Sequence, residues 1–336
     1  MSNSDPRLLT GLLKATSRSF YLTLRVLPAA VRPQIGLAYL LARATDTIAD
    51  TAIVPVAGRL SALARLRERI LGHDTMPLDF GELSRHQGLP AEQVLLTRCE
   101  EALAVLGGFE AADRARIRKV LDVITSGQEL DLRRFGGGSA QNIIALANAA
   151  ELDDYTWRVA GCVGEFWTGI CRAHVFPKAR LDDAWLVAQG IRFGKGLQLV
   201  NILRDLPMDL SNGRCYLPQE ELAAAGLAPS DLVNPKNEPR FRATYARFLD
   251  LAEAHLRAGW DYTNALPRGC MRVRLACAWP IMIGMGTLEK LRQANVLDPD
   301  MRVKVGRAEV RGAMIRSVYL YPFPSAWRGM VRFKSP

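Results

Sequence analysis

The stretch LLARATDTIADTAIV, residues 40–54, has the apolar spacing of a core helix, yet it carries two carboxylates, Asp46 and Asp50, four residues apart. A second segment, QLVNILRDLPMDL at 198–210, repeats the spacing with Asp205 and Asp209. At about 100° per residue, positions i, i+4, i+7 and i+11 fall within roughly 60° of one another on a helix. Tyr39, Arg43, Asp46 and Asp50 therefore form one polar stripe, and Gln198, Asn201, Asp205 and Asp209 form another. Ile35, Tyr39 and Leu40 around the first, with Leu199, Val200, Ile202 and Leu203 around the second, predict that both helices are largely buried. A buried carboxylate needs a partner, because an unpaired charge there is very costly.

Working outward, helical spacing runs through most of the 336 residues. RLSALARLRERIL (59–71), EQVLLTRCEEALAVL (92–106), DRARIRKVLDVITSGQELDLRRF (113–135) and RFRATYARFLDLAEAHLRAGWDYTNAL (240–266) all read as helices. Breaks fall at 27–33, 76–82, 136–141, 210–218 and 228–240, where Pro, Gly, Asn and Ser gather. No hairpin dipeptide sits between alternating strands, and no fixed-period repeat is present. The reading is an all-α fold: one helical domain over residues 1–313, a bundle around a central apolar cavity, and a basic, aromatic tail over 314–336.

A content of 49% hydrophobic and 23% charged residues suits a folded globular chain. The formal net charge of +10 predicts an anionic partner: nucleic acid, a membrane surface or a phosphorylated substrate. Six cysteines without C-x-x-C spacing and four scattered histidines give little support to a zinc site, and most of the thiols are expected to be buried in a reduced compartment. The opening MSNSDPRLLTGLLK lacks the apolar run of a secretion signal, and no stretch reaches the ~20 apolar residues of a membrane span. GGGSA (136–140) and FGKG (193–196) complete no nucleotide-loop pattern; they read as a helix-connecting loop and a tight helix contact.

Two partners suit the acidic stripes. One is arginine, since Arg43 and Arg204 lie close by in sequence and Asp–Arg pairs at helical spacing are common. The other is a hard divalent cation bridging carboxylate oxygens to phosphate, as Mg²⁺ prefers. Two matched stripes with surplus arginines favour the second: the carboxylates recruit metal, while Arg18, Arg43, Arg204 and Arg214 bind the remaining phosphate charge. Metal and arginine together stabilise a diphosphate leaving group, so an allylic C–O bond can ionise, and a dry apolar pocket protects the cation.

These segments resemble the squalene/phytoene synthase family, all-helical enzymes that join two prenyl diphosphates head to head. SRSFYLTLRVLP (17–28), YLLARATDTIADT (39–51), DDYTWRVAGCVG (153–164) and GLQLVNILRDLPMDLSNGRCYLP (196–218) carry the likeness, the last most specifically. The resemblance implies an isoprenoid-synthase-type bundle with Mg²⁺ on Asp46, Asp50, Asp205 and Asp209. It implies diphosphate contacts from Ser17, Arg18, Arg43, Gln198, Asn201, Arg204 and Arg214. Tyr155, helped by Tyr39, would handle the proton as a cyclopropyl ring closes. MRVKVGRAEV (301–310) resembles the basic segment near the reductase cofactor of squalene synthases, so Lys304 and Arg307 would meet NADPH. The implied reaction is condensation of two farnesyl diphosphates to presqualene diphosphate, followed by reduction to squalene. The alternatives are a phytoene, dehydrosqualene or presqualene diphosphate synthase without the reduction, or a non-catalytic member.

Two departures stand out. Met208 occupies a place that is usually acidic in the family, and Pro207 should kink or end the helix before Asp209. Acidic stripes interleaved with the arginines argue against nucleic acid. The tail MIRSVYLYPFPSAWRGMVRFKSP (314–336) suits either a packed extension or an interfacial contact. The resulting expectation is a cytoplasmic protein, peripheral on the cytoplasmic membrane face.

Overall fold

The structure, a computed structural model, describes residues 11–16, 20–87 and 89–334. It is all-α apart from one two-stranded sheet. Where the sequence led us to expect one helical domain, the chain divides into two compact units, residues 1–136 with 166–178 and residues 137–165 with 179–336. One crossing lies inside the Cys162–His174 helix, where no linker composition could mark it.

In the first unit the Arg32–Asp50 helix begins with Pro33 in its first turn, where the missing N–H costs nothing. It buries Ile35, Leu37, Leu40, Leu41, Ala44 and Ile48. The helices Val56–Leu71 and Ala111–Phe135 pack against it and against each other with Leu63, Leu66, Ile117 and Leu121. The segment expected as one helix over 92–106 is two, Pro90–Thr97 and Cys99–Gly107, because the backbone of Arg98 leaves helical geometry. A buried polar cluster ties the unit together: Asp113 accepts from His174 at 2.8 Å, Gln34 at 3.1 Å and Arg116 at 3.1 Å. Burial raises the Asp113 pKa, but these donors outweigh it and hold the carboxyl below its ordinary value.

The second unit is built on two long helices, Asp183–Ser211 and Glu238–Ala265, packed along each other. The first is capped by the Asp182 carboxylate, which accepts from the Trp185 N–H at 2.9 Å. The Met271–Gln293 helix packs on both. The FGKG segment is the tight contact expected of it, since a Cβ on Gly194 would stand 2.2 Å from the Ala160 carbonyl oxygen. Strands Ile144–Leu146 and Arg214–Pro218, not foreseen in the sequence, pair in parallel.

The C-terminal region docks on this unit. Trp327 stacks on Trp260 with ring centroids 5.4 Å apart and donates to Asn264 Oδ1 at 2.9 Å. The Arg274 guanidinium lies over both Tyr321 and Trp327. The expected boundary at 313/314 falls inside the Arg307–Leu320 helix, whose buried Ser317 accepts from Trp279 Nε1 at 3.0 Å. All six cysteines are free, and all but Cys270 are buried. Among the described residues no helix is long and apolar enough to cross a membrane.

Candidate active site

The first stripe lies on the Arg32–Asp50 helix as the spacing predicts, but it is more open than expected. Asp50 is exposed, and Tyr39, Arg43 and Asp46 are half-buried, while the rest of the helix supplies the core. The apolar neighbours point inward and leave the charged residues at the surface. Arg43 is held at both ends, by Asp46 three residues on and by Glu92 of the Pro90–Thr97 helix. Although 42% of the Asp46 side-chain surface meets solvent, it is a recessed carboxyl. Burial, and then the charge of Asp50, push it up to about 7 against the pull of Arg43. A cavity of about 300 Å³ beside the stripe is lined by Arg43, Thr47, Asp50, His86, Gln87 and Glu92. The Tyr39 hydroxyl donates to the Thr16 carbonyl oxygen at 3.4 Å. Ser17 and Arg18 lie outside the described residues.

In the second unit Gln198, Asn201, Arg204, Asp205 and Asp209 lie on the Asp183–Ser211 helix, above buried Leu199, Val200, Ile202 and Leu203. This stripe too is accessible: Asn201 is exposed, and the others are half-buried. The Arg204 fork grips its sequence neighbour Asp205 through two bonds, at 2.8 and 2.5 Å. That hydrogen bonding, against burial and with the charges of Asp205 and Asp209, raises the Arg204 pKa.

Pro207 does not end the helix, which runs on to Ser211 and keeps Asp209 on its stripe. The missing Pro207 N–H would have bonded the Leu203 carbonyl four residues earlier. The buried Tyr245 hydroxyl donates to that oxygen instead, at 2.9 Å. The group the proline deprives is thereby satisfied from the neighbouring helix. Met208, in the place where an acid was looked for, is exposed.

Arg214 opens the strand that follows. Its turn requires Gly213, at φ +75° with only 2.1 Å between a would-be Cβ and the Ser139 nitrogen. Tyr155 is buried at the end of the Ala149–Thr156 helix, where a π-helical turn, Trp157–Gly161, begins. It stacks on Tyr216 with centroids 4.6 Å apart. Glu92, Tyr216 and Tyr245 were not singled out from the sequence. Only Tyr216 had a signal there, inside the GRCYLP run. Lys304 and Arg307 are exposed, and Lys304 offers its carbonyl oxygen to Lys290 Nζ.

Arginine pairing, one of the two readings of the acidic stripes, is thus present at both. Half-exposed ion pairs of this kind contribute about 1 kcal/mol or less, so an incoming ligand exchanges them cheaply. Among the described residues no three His, Cys, Asp or Glu side chains form a ready-made metal group. The donor chemistry fits a hard divalent cation all the same. Asp46 and Asp50 are oxygen donors; burial first, and then the charge of Asp50, drives Asp46 towards protonation, and a cation would offset both.

The fold is that of TcSQS in complex with the ligand BPH1237, at a TM-score of 0.76 and 22% identity, covering 96% of this chain and 88% of that one. That makes it an isoprenoid-synthase fold. The squalene/phytoene synthase family model matches residues 13–309, and the chain belongs to that family. The presqualene diphosphate synthase of Zymomonas mobilis is 30% identical over 76% of this chain and 74% of its own length. A bifunctional lycopene cyclase/phytoene synthase of Blakeslea trispora is 27% identical over 92% of this chain, which spans about half that protein, 48% of its length.

Substituting Tyr245→Phe removes the donor to Leu203 and leaves a buried carbonyl unpaired. The variant should lose about 1–2 kcal/mol of unfolding free energy. Urea melts of the two proteins check this; equal midpoints would show that the proline needs no such support.

Proposed function

We propose that this chain condenses two farnesyl diphosphates head to head to presqualene diphosphate. The observation that carries the reading is the repelling pair Asp46 and Asp50 beside an arginine, a pattern that recurs at Asp205, Asp209 and Arg204 within a chain of this family. In this reading each pair holds Mg²⁺, which when bound draws charge from the diphosphate and eases rupture of the allylic C–O bond. Arg43, Arg204 and Arg214 take the phosphate oxygens, with Gln198 and Asn201 as neutral donors beside them. The C–O bond of one molecule breaks with its electron pair on diphosphate. The allylic cation then bonds to the double bond of the second molecule. Loss of one proton closes the cyclopropane, and Tyr155, fixed in place by Tyr216, passes that proton towards the released diphosphate. Incubation with farnesyl diphosphate and Mg²⁺, without a reductant, should yield presqualene diphosphate by mass spectrometry. Unconsumed substrate would overturn the proposal.

A second reading adds reduction to squalene. It is supported by the exposed Lys304 and Arg307, whose charges stand open to a nicotinamide cofactor's phosphates. In the same incubation NADPH should then convert the product to squalene, and an unchanged product removes this step.

The setting we propose is the cytoplasmic face of a membrane. Ile315, Val318, Tyr319 and Phe323 are between 44% and 75% exposed, on the outward side of the docked Arg307–Leu320 helix and just beyond it. Arg311 and Arg316 are exposed beside them. An apolar ridge edged by arginine suits an anionic lipid surface. Truncation at 313 would also strip Ser317 and Trp327 from the core, so the substitutions Ile315→Glu and Tyr319→Glu are the better probe. They should abolish co-sedimentation with phosphatidylglycerol vesicles; unchanged sedimentation would reject the lipid contact.

A further inference from the structure

Arg43 is the point where two helices of the first unit share one charge. One end of its guanidinium is bound by Asp46 on its own helix and the other by Glu92 on the Pro90–Thr97 helix. Its Nε is buried without a partner, so the two carboxylates carry the whole fixation among the described residues. The two holders differ. The Asp46 side chain is 42% exposed and the Glu92 side chain only 13%. Glu92 also lies in the first turn of its helix, where the helix dipole favours a carboxylate. The Glu92 end is therefore the firmer and the Asp46 end the exchangeable one.

The surroundings are built for exchange. Asp50 and Glu92 line one cavity with Arg43, and Asp46 holds the other end of the same guanidinium. Thr47 is 2% exposed with its hydroxyl oxygen unpartnered, and it lines the cavity that Arg43, Asp50 and Glu92 share. A buried hydroxyl without a protein partner marks a cavity made for a polar occupant. The rim is tied down, since Gln87 donates to Thr51 Oγ1 at 2.7 Å and Thr51 donates to the Thr47 carbonyl at 2.7 Å.

We infer that Glu92 is a positioning residue for the diphosphate chemistry: it keeps Arg43 in place when Asp46 releases the guanidinium to take a divalent cation. The inference rests on the metal-binding reading of Asp46. With Glu92 neutralised, Arg43 settles wholly on Asp46, and a cation must displace the complete ion pair to reach that carboxylate.

The test is Mn²⁺ binding to the full chain in the presence of inorganic pyrophosphate, followed by electron paramagnetic resonance alongside thermal melting. Glu92→Gln should weaken Mn²⁺ binding about tenfold with an unchanged melting temperature, and the effect should vanish when Arg43→Gln is already present. Wild-type affinity in Glu92→Gln would overturn the inference, and so would a loss that persists in the Arg43→Gln background, since Glu92 would then act on the metal directly. Should Glu92→Gln not fold, Glu92→Asp keeps the charge at a shorter reach. It should weaken binding about threefold, and unaltered affinity again overturns the role. Wild-type protein that binds no Mn²⁺ under these conditions would overturn the metal reading of Asp46, and this inference with it.

Discussion

Two carboxylates one helical turn apart repel each other, and that repulsion organises the stripe on the Arg32–Asp50 helix. Asp46 and Asp50 share a face of a helix whose other faces are filled by Leu37, Leu40, Leu41 and Ile48, so the backbone cannot rotate them apart. Relief has to come from positive charge. Without ligand it comes from Arg43, which is itself shared with Glu92. The second unit solves the same problem more locally, with Arg204 folded onto the adjacent Asp205. In both places an arginine of the chain holds the acid. The half-exposed setting keeps these pairs weak, as an exchangeable partner must be.

Around the second stripe the fold works to keep an irregular helix intact. Pro207 would leave a buried carbonyl without a donor, and the Tyr245 hydroxyl takes the place of the lost N–H. Burial raises the Tyr245 pKa far enough that the proton stays on the phenol and remains available as a donor. Gly194 brings the Tyr155 segment within backbone contact of the same helix, and Tyr216 fixes the ring by stacking. Asp209 and Tyr155 are thus positioned by packing as much as by their own helices.

Much of this could be read before any coordinates. The helices over 59–71, 113–135 and 240–266 appear within three residues of their expected ends, because long apolar stripes are hard to mistake. The two polar stripes followed from angular spacing alone. What escaped is non-local. Glu92 meets Arg43 across 49 residues and Tyr245 meets Leu203 across 42, and no local pattern records either pair. Of the two outcomes expected of Pro207, a kink or an end, the helix does not end there; short-range rules register the lost donor but cannot see the replacement. The burial of the stripes was overestimated: apolar neighbours on a helix say which side is buried, not how deep the polar side lies.

On the proposed function, the acidic pairs serve metal and diphosphate rather than merely closing ion pairs with their arginines. The most direct measurement is pyrophosphate release from farnesyl diphosphate by wild type, Asp46→Asn and Asp205→Asn across a Mg²⁺ titration, with melting temperatures taken on the same samples. Wild type should release pyrophosphate in a Mg²⁺-dependent way, and each variant should lose at least ~100-fold, with melting temperatures close to wild type. Variants that release pyrophosphate at the wild-type rate, or that fail only because they unfold, would contradict it.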